Sequence, residues 1–490
     1  MSELPVVVIG AGPQGLAAAA HLTERGVDAV VVERGGSAGA AVSEWGHVRL
    51  FSGWPELTDA AARRLLEPTG WTAPASGYPT GAEWVSEYLS PLADALGDRV
   101  LYGTTVTGVA RQGRDKVVAS GRKAQPFVVH TVDQDGRDGR ILASSVIDAT
   151  GTWSLPNPAG ADGYPAVGET AASERISYRI PDDVFELAGS HVVVVGAGHS
   201  ATHAVLRLSE LARREPGTKV TWLLRRGSAT NVFGGGTGDE LPERAALGSR
   251  ARKVIEAGVV EVVTGFRVAE FQQDGDTLTI LAENGQEISG VTRVFALTGF
   301  RPDTSILREV RIELDGSLDA VAGIASEIDP NIHSCGSVGA TGARQLAQPE
   351  KDLFIVGAKS YGRAPSLYNQ CMLTIASRLD VMNRLGRAMA DPTRSRILMT
   401  LLGGPSYPAV LSRELELTSS NVSNHLTCLR DCGIVVAEPE GRQTRYEIAD
   451  PHLAAALTAL VDVTLAVDEH APCVDSSCTV PGCCGTGAGE

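Results

Sequence analysis

The chain of 490 residues is 43% hydrophobic and 21% charged, the balance of a globular protein with core enough for two to four domains. A formal net charge of −15 argues against indiscriminate attraction to nucleic acid or membrane. No apolar run reaches the roughly 18 residues that cross a bilayer, and residues 5–9 already read as a buried strand, so the expected location is the cytoplasm.

Leu4 to Ile9 is an apolar, β-branched run; Gly10, Gly12 and Gly15 follow in G-x-G-x-x-G spacing, then an Ala-rich helix from Leu16 to Arg25 and a strand from Ala29 to Val32 ending in Glu33. In that strand, turn and helix context each glycine has a task. Gly10 permits the tight turn, Gly12 admits a diphosphate to the helix N-terminus, Gly15 lets helix and strand pack, and Glu33 accepts from ribose hydroxyls. An acid at this place disfavours a 2′-phosphate, so the ligand expected here is FAD or NAD rather than NADP.

The pattern returns after the strand His191 to Val195, as Gly196, Gly198 and Ala201, with a helix to about Arg214 and a strand from Val220 to Leu224. This second strand ends in Arg225 and Arg226, whose guanidinium groups suit the 2′-phosphate of NADPH. Two further segments, Val146 to Gly151 (with Thr150 and Gly151 at its end) and Val294 to Asp303, read as strands leading into glycine turns, and Leu353 to Gly357 as a late strand.

Two dinucleotide folds in one chain, acidic then basic at the discriminating position, resemble the two-domain flavoproteins that include disulfide reductases and flavin-containing monooxygenases. The resemblance covers residues 1 to about 370. It implies FAD in a discontinuous domain, residues 1–159 and 291–375, and NADPH in a domain of residues 160–290 inserted into it. Where the family has Gly-Asp after its last strand, this chain has Gly357-Ala358, so a ribityl contact is missing.

Disulfide reductases need a close redox-active cysteine pair beside the flavin, whereas only Cys335 and Cys371 precede the C-terminal region. Hydride would instead pass from NADPH to the flavin and on to oxygen or another acceptor. Gly151 to Pro158 resembles the segment after the crossing strand in flavin monooxygenases, but their histidine-containing fingerprint is absent, and oxygenation stands as a hypothesis. The stretches Trp45 to Ser52 and Lys359 to Pro365 supply aromatic and cationic side chains for the isoalloxazine wall or for loop packing. The catalytic residue is unknown from sequence, with neither a Ser-His-Asp set nor a His-Glu-x-x-His site in view.

From Leu385 the pattern changes to short helices, Ser395 to Leu402, Tyr407 to Leu415 and Ser419 to Cys432, then two strands flanking the turn Glu438 to Arg442. Three helices and a hairpin make a winged helix-turn-helix. Its third helix would lie in the major groove, with Ser420, Asn421, Ser423, Asn424 and His425 toward base edges and phosphates, and with Arg442 and Arg445 reaching the backbone from the wing. Between Met382 and His470 there are eight Arg, no Lys and eleven Asp or Glu, so contact with operator DNA must come from locally placed arginines.

This module, residues 380–470, closely resembles the ArsR/SmtB metalloregulators, in particular the branch that senses cadmium and lead. The residues that carry the match are Ala390 to Arg394, Ser420 to Leu426, Glu440 to Gln443, Leu465 to Asp468 and Cys473. In that branch two thiols of the recognition helix and one from the partner subunit's C-terminal region bind the metal. Carried over, these are Cys428, Cys432 and Cys473, in a homodimer. Positions i and i+4 share a helix face, and soft thiolates favour Cd(II), Pb(II) or As(III). A zinc site begun by Asp450 and His452 is not completed. The tail, residues 471–490, adds Cys478, Cys483 and Cys484, which read equally as thiols for trivalent arsenic or heavy metals and as parts of a flexible end.

The fold expected is α/β, two Rossmann-like dinucleotide-binding domains with the NADPH domain inserted in the FAD domain, followed by an α+β winged helix-turn-helix. The function expected is an FAD- and NADPH-dependent oxidoreductase, a monooxygenase or otherwise, with a fused DNA-binding repressor responding to thiophilic metal or metalloid. The alternative is a redox-sensing transcription factor whose flavoprotein part is regulatory.

Overall fold

Valine and isoleucine pack well on a pleated surface, and the valine-rich runs become the central strands of two parallel sheets. The computed structural model describes residues 4–180, 182–229, 242–329, 342–363, 389, 391–431, 434–440, 443–449 and 451–461. They fall into two units, Met1–Ile375 and Ala376–Glu490.

In the first unit, β1 (Val6–Ile9), α1 (Pro13–Glu24), β2 (Ala29–Val32), β3 (Val100–Leu101), β4 (Thr104–Arg111), β5 (Phe127–Asp133), β6 (Asp138–Ala143) and β7 (Ser145–Asp148) come in that order. They are followed by β8 (Ile176–Ser177), β9 (His191–Val195), α2 (His199–Arg214), β10 (Lys219–Leu224), α3 (Pro242–Glu256) and β11 (Glu261–Thr264). Next are β12 (Val268–Asp274), β13 (Thr277–Ala282), β14 (Glu287–Val291), β15 (Arg293–Ala296) and, at the end, β16 (Leu353–Ile355).

The first sheet has the order β16-β7-β1-β2-β3, all parallel. Ile9 is level with Val32 on one side and Asp148 on the other, and Asp148 with Ile355, so the carboxyl ends of four strands open at one rim. Parallel strands need both faces covered. The antiparallel sheet β4-β5-β6 buries Val109, Phe127 and Val129 against Val7 and Ile9 on one face, while α1 sets Leu16, Ala19 and Ala20 against Val8 and Val31 on the other. A buried cluster closes the first face: the Glu350 carboxylate accepts from Arg111 Nε at 2.9 Å and Arg122 Nε at 2.8 Å.

The second sheet runs β11-β10-β9-β15-β8, also parallel. Here α2 and α3 cover Val192, Val194 and Trp222, and the antiparallel sheet β12-β13-β14 covers Val193, Val195 and Leu223. Strand β15 pairs with β9 over four residues, from Arg293↔Val192 to Ala296↔Val195. A division at residue 290 therefore cuts one strand from the sheet to which it is hydrogen-bonded, and 293–296 goes with the second domain.

In the second unit, Asp391 caps α4 (Pro392–Leu402) by accepting from Arg394 N at 2.9 Å. After α5 (Pro408–Glu414), Thr418 Oγ1 accepts from Asn421 N at 3.3 Å at the start of α6 (Ser419–Asp431). Both caps satisfy amides that a helix start leaves unpaired. The antiparallel hairpin of β17 (Val435–Glu440) and β18 (Gln443–Ile448) and a last helix α7 (Pro451–Val461) follow. Ile397, Leu401, Leu411, Val422, Leu426, Leu429 and Val435 form its core. This is the winged helix-turn-helix. Arg442 and the tail 471–490 lie outside the described residues.

Candidate functional site

The carboxyl ends of β1, β2, β7 and β16 open into a cavity of about 1040 Å³, where ligands of open parallel sheets bind. Its floor is the glycine turn. A Cβ on Gly15 would stand 1.9 Å from the Gly10 carbonyl oxygen, so any larger residue would force α1 off the turn. A Cβ on Gly12, by contrast, would meet nothing within 4 Å: this face is open to the cavity. No side chain caps α1, which leaves its positive end for an anion. Glu33 stands beside it, accepting from Ala11 N and Gly35 N, each at 2.7 Å.

Thr150 and Gly151 line the same space. Asp148, fully buried, accepts from Thr150 N at 3.1 Å and Thr150 Oγ1 at 2.7 Å, and its other oxygen accepts from Lys359 Nζ at 2.8 Å. Gly357, Ala358 and Lys359 form the facing edge. An acid, an open glycine face and an uncapped helix around a cavity of this size fit a dinucleotide such as FAD. Of the aromatic and cationic stretch 45–52, all but Gly46 and His47 line the cavity.

The opposite wall comes from the second sheet. His199, Ser200 and His203 of α2 face the cavity with Leu297, Gly299 and Phe300. Gly196 is held at φ +131°, and a Cβ there would sit 2.2 Å from the Leu297 carbonyl oxygen, while a Cβ on Gly198 would meet nothing within 4 Å; Ala201 is fully buried against the sheet. Phe51 packs edge-on to the His199 ring at 5.0 Å and stacks with His203 at 5.7 Å. Burial pushes His203 down to about 4, helped by the charges of His199 and Arg250, so its ring is neutral at physiological pH. Arg225 and Arg226 are exposed at the end of β10, outside this cavity, and Arg225 Nη1 donates to the Ala161 carbonyl at 3.2 Å.

Sequence reasoning missed His199 and His203 as cavity groups, and Asp148 as the buried carboxylate that holds Thr150 and Lys359 from behind the wall. The two histidines carry a signal that was there to read: spaced i, i+4 and starting in a glycine turn, they must share the helix face nearest the turn's ligand.

On α6 the apolar spacing buries Val422, Leu426 and Leu429 and leaves Ser420, Ser423 and Asn424 exposed with Asn421 half-buried, as a groove-reading face requires. His425 departs from that face. Its Nδ1 lies 3.9 Å from the Asp391 carboxylate, tying the recognition helix to the cap of α4. Cys428 is half-buried with its Sγ 3.9 Å from Arg394 Nη1; Cys432 and Cys473 lie outside the described residues. Arg445 is not a free wing cation: its guanidinium lies 2.7 Å from Glu447, 2.8 Å from Glu440 and in contact with Glu438.

Residues 7–322 match the pyridine nucleotide-disulphide oxidoreductase family, and residues 391–436 match the bacterial regulatory proteins of the arsR family. The HTH-type transcriptional regulator CmtR of Mycobacterium tuberculosis is 62% identical over 103 residues, 21% of this chain and 87% of that protein. An indole-3-pyruvate monooxygenase of Oryza sativa is 31% identical over 206 residues, 41% of this chain and 44% of the other. Among solved structures, the bacillithiol disulfide reductase Bdr of Bacillus cereus superposes with a TM-score of 0.56 at 20% identity, over 76% of this chain and 96% of that one, a likeness of fold. A cavity between the first glycine turn and the start of α2, with a winged helix later in the chain, thus has one joint assignment: the chain belongs to the pyridine nucleotide-disulphide oxidoreductase family, and its C-terminal module to the arsR family of regulators.

Proposed function

We propose that the first unit is an NADPH-dependent FAD oxidoreductase. The carrying observation is the single cavity walled on one side by the turn Gly10 to Gly15, Glu33, Thr150, Gly151 and Gly357, and on the other by the start of α2. In this reading FAD lies along the first wall. Gly196 and Gly198 receive the diphosphate of NADPH while Ala201 lets the helix pack on the sheet, and Arg225 and Arg226, exposed at the ribose-reading end of β10, take its 2′-phosphate. When bound, the flavin supplies a two-electron relay between NADPH and an acceptor. The residues around it hold and orient the two nucleotides.

The test is direct. Purified protein should carry a flavin spectrum that NADPH bleaches without oxygen, with NADH much slower, and Arg225→Ala with Arg226→Ala should erase the preference. Protein that binds no flavin rejects the reading. Mixing the reduced protein with oxygen, and following peroxide against a hydroxylated product, separates monooxygenase from oxidase chemistry.

For the second unit we propose an operator-binding repressor, dimeric and cytoplasmic, released by Cd(II), Pb(II) or As(III) at Cys428, Cys432 and the partner's Cys473. The 62% identity to CmtR over 103 residues supports it, as does Cys428 on the face of α6 turned toward α4. Metal that changed the pose of α6 would weaken the DNA complex. DNA affinity should fall on adding these ions and be unmoved by them in Cys428→Ser; an unchanged wild-type affinity refutes the reading.

A further inference from the structure

The family's aspartate after the last strand is replaced here by Ala358, and the next residue, Lys359, is a lysine buried to 2% exposure in the wall of the flavin cavity. Among the described residues its recorded partner is the Asp148 carboxylate, 2.8 Å away and itself fully buried. An ammonium has three donors, so two remain beyond that bond. Asp148 is spent: it already accepts twice from Thr150.

The placement is specific. Asp148 is in register with Ile9, the residue before the glycine turn. A Cβ on Gly357 would stand 2.9 Å from the Gln14 side chain, so the segment 357–359 lies against the first turn of α1. The turn itself offers backbone dipoles, while Glu33 and Asp303 put two carboxylates in the cavity lining and Asp148 lies buried behind Thr150. A diphosphate brought there meets like charge unless a cation offsets it.

We propose that Lys359 is the flavin-positioning cation of this chain, neutralising Asp148 and giving its remaining N–H donors to the diphosphate of FAD. This rests on the cavity being the flavin site. A cation thus does by charge what an aspartate does elsewhere by accepting a hydroxyl.

The test uses the full chain stripped of flavin, titrated with FAD and read by flavin fluorescence, with far-UV circular dichroism as the check on folding. Lys359→Met should weaken FAD binding roughly ten- to hundredfold, the range of a charge-assisted hydrogen bond, and flatten its salt dependence. Lys359→Arg should recover most of the affinity. Asp148→Asn should bind FAD as tightly as wild type or more so, since the ammonium is then free for the ligand. A purely structural ion pair predicts otherwise: Lys359→Met and Asp148→Asn would both lower stability and leave FAD affinity alike, and that result overturns the assignment. If Lys359→Met alone does not fold, the double variant with Asp148→Asn removes both charges and should still bind FAD at least tenfold more weakly than Asp148→Asn; equal affinity refutes the role. Wild-type protein that takes up no FAD defeats the flavin reading and this assignment together, whereas wild-type uptake with an indifferent Lys359→Met defeats this assignment alone.

Discussion

Glu350 carries two arginines that have no water to turn to. Arg111, Arg122 and Glu350 have side chains 1–2% exposed, and the Arg111 guanidinium also lies 3.6 Å over the Phe127 ring. Burial pushes the Glu350 carboxyl up, but the hydrogen bonds from Arg122, Arg111 and the Arg311 amide outweigh it and hold it below the usual 4.5. Glu350→Gln leaves both cations without a counter-charge and should cost about 3–5 kcal/mol in urea unfolding of the first unit. Because the folded carboxyl is the stronger acid, its contribution is present in full above about pH 4.5 and is lost as pH falls through the folded value; the variant's stability should fall less steeply over that window. Gly15→Ala is the second residue-scale case. With its Cβ at 1.9 Å from a backbone oxygen, it should shift α1 and lower FAD affinity at least tenfold, measured by fluorescence titration. Gly15 and Glu33 are legible in sequence because their spacing is local. Glu350 and Lys359 are not, since their partners lie 228 to 239 and 211 residues away.

Among elements, the start of the recognition helix is legible because caps are local chemistry: Thr418 precedes Ser419 and Ser420. The helix expected from Ser395 begins three residues earlier, at Pro392, because Asp391 caps it and Pro392 suits a first helical position. What the sequence does not display is that the Asp391 cap also faces His425 on another helix. Asp391→Ala should therefore cost more than the ~1 kcal/mol of a lost cap and should change DNA affinity as well, by freeing α6. Thermal unfolding and operator binding measured together decide this: a stability loss with unchanged DNA affinity would leave the contact without a role in pose. Strand β15 shows the other limit of local reading. Its sequence, Arg-Val-Phe-Ala, is a plain apolar run, and only its pairing with β9 assigns it to the second sheet.

At the scale of the molecule, each unit has its own buried core, which predicts separable responses. Added FAD should raise the unfolding temperature of the first unit only, and operator DNA that of the second only; calorimetry with each ligand in turn reads the two transitions, and a common shift would reject independence. Among the described residues no helix is long and apolar enough to cross a membrane. The wing has a quantitative consequence for the protein as a DNA ligand. Glu438, Glu440 and Glu447 around Arg445 give that hairpin patch a formal charge of −2, so it displaces no condensed counterions when it approaches a phosphate. Operator affinity should then fall with added salt by a slope worth few ions per module, since slope counts neutralised phosphates. Neutralising the patch with Glu438→Gln and Glu447→Gln should steepen it, and would trade sequence discrimination for nonspecific grip.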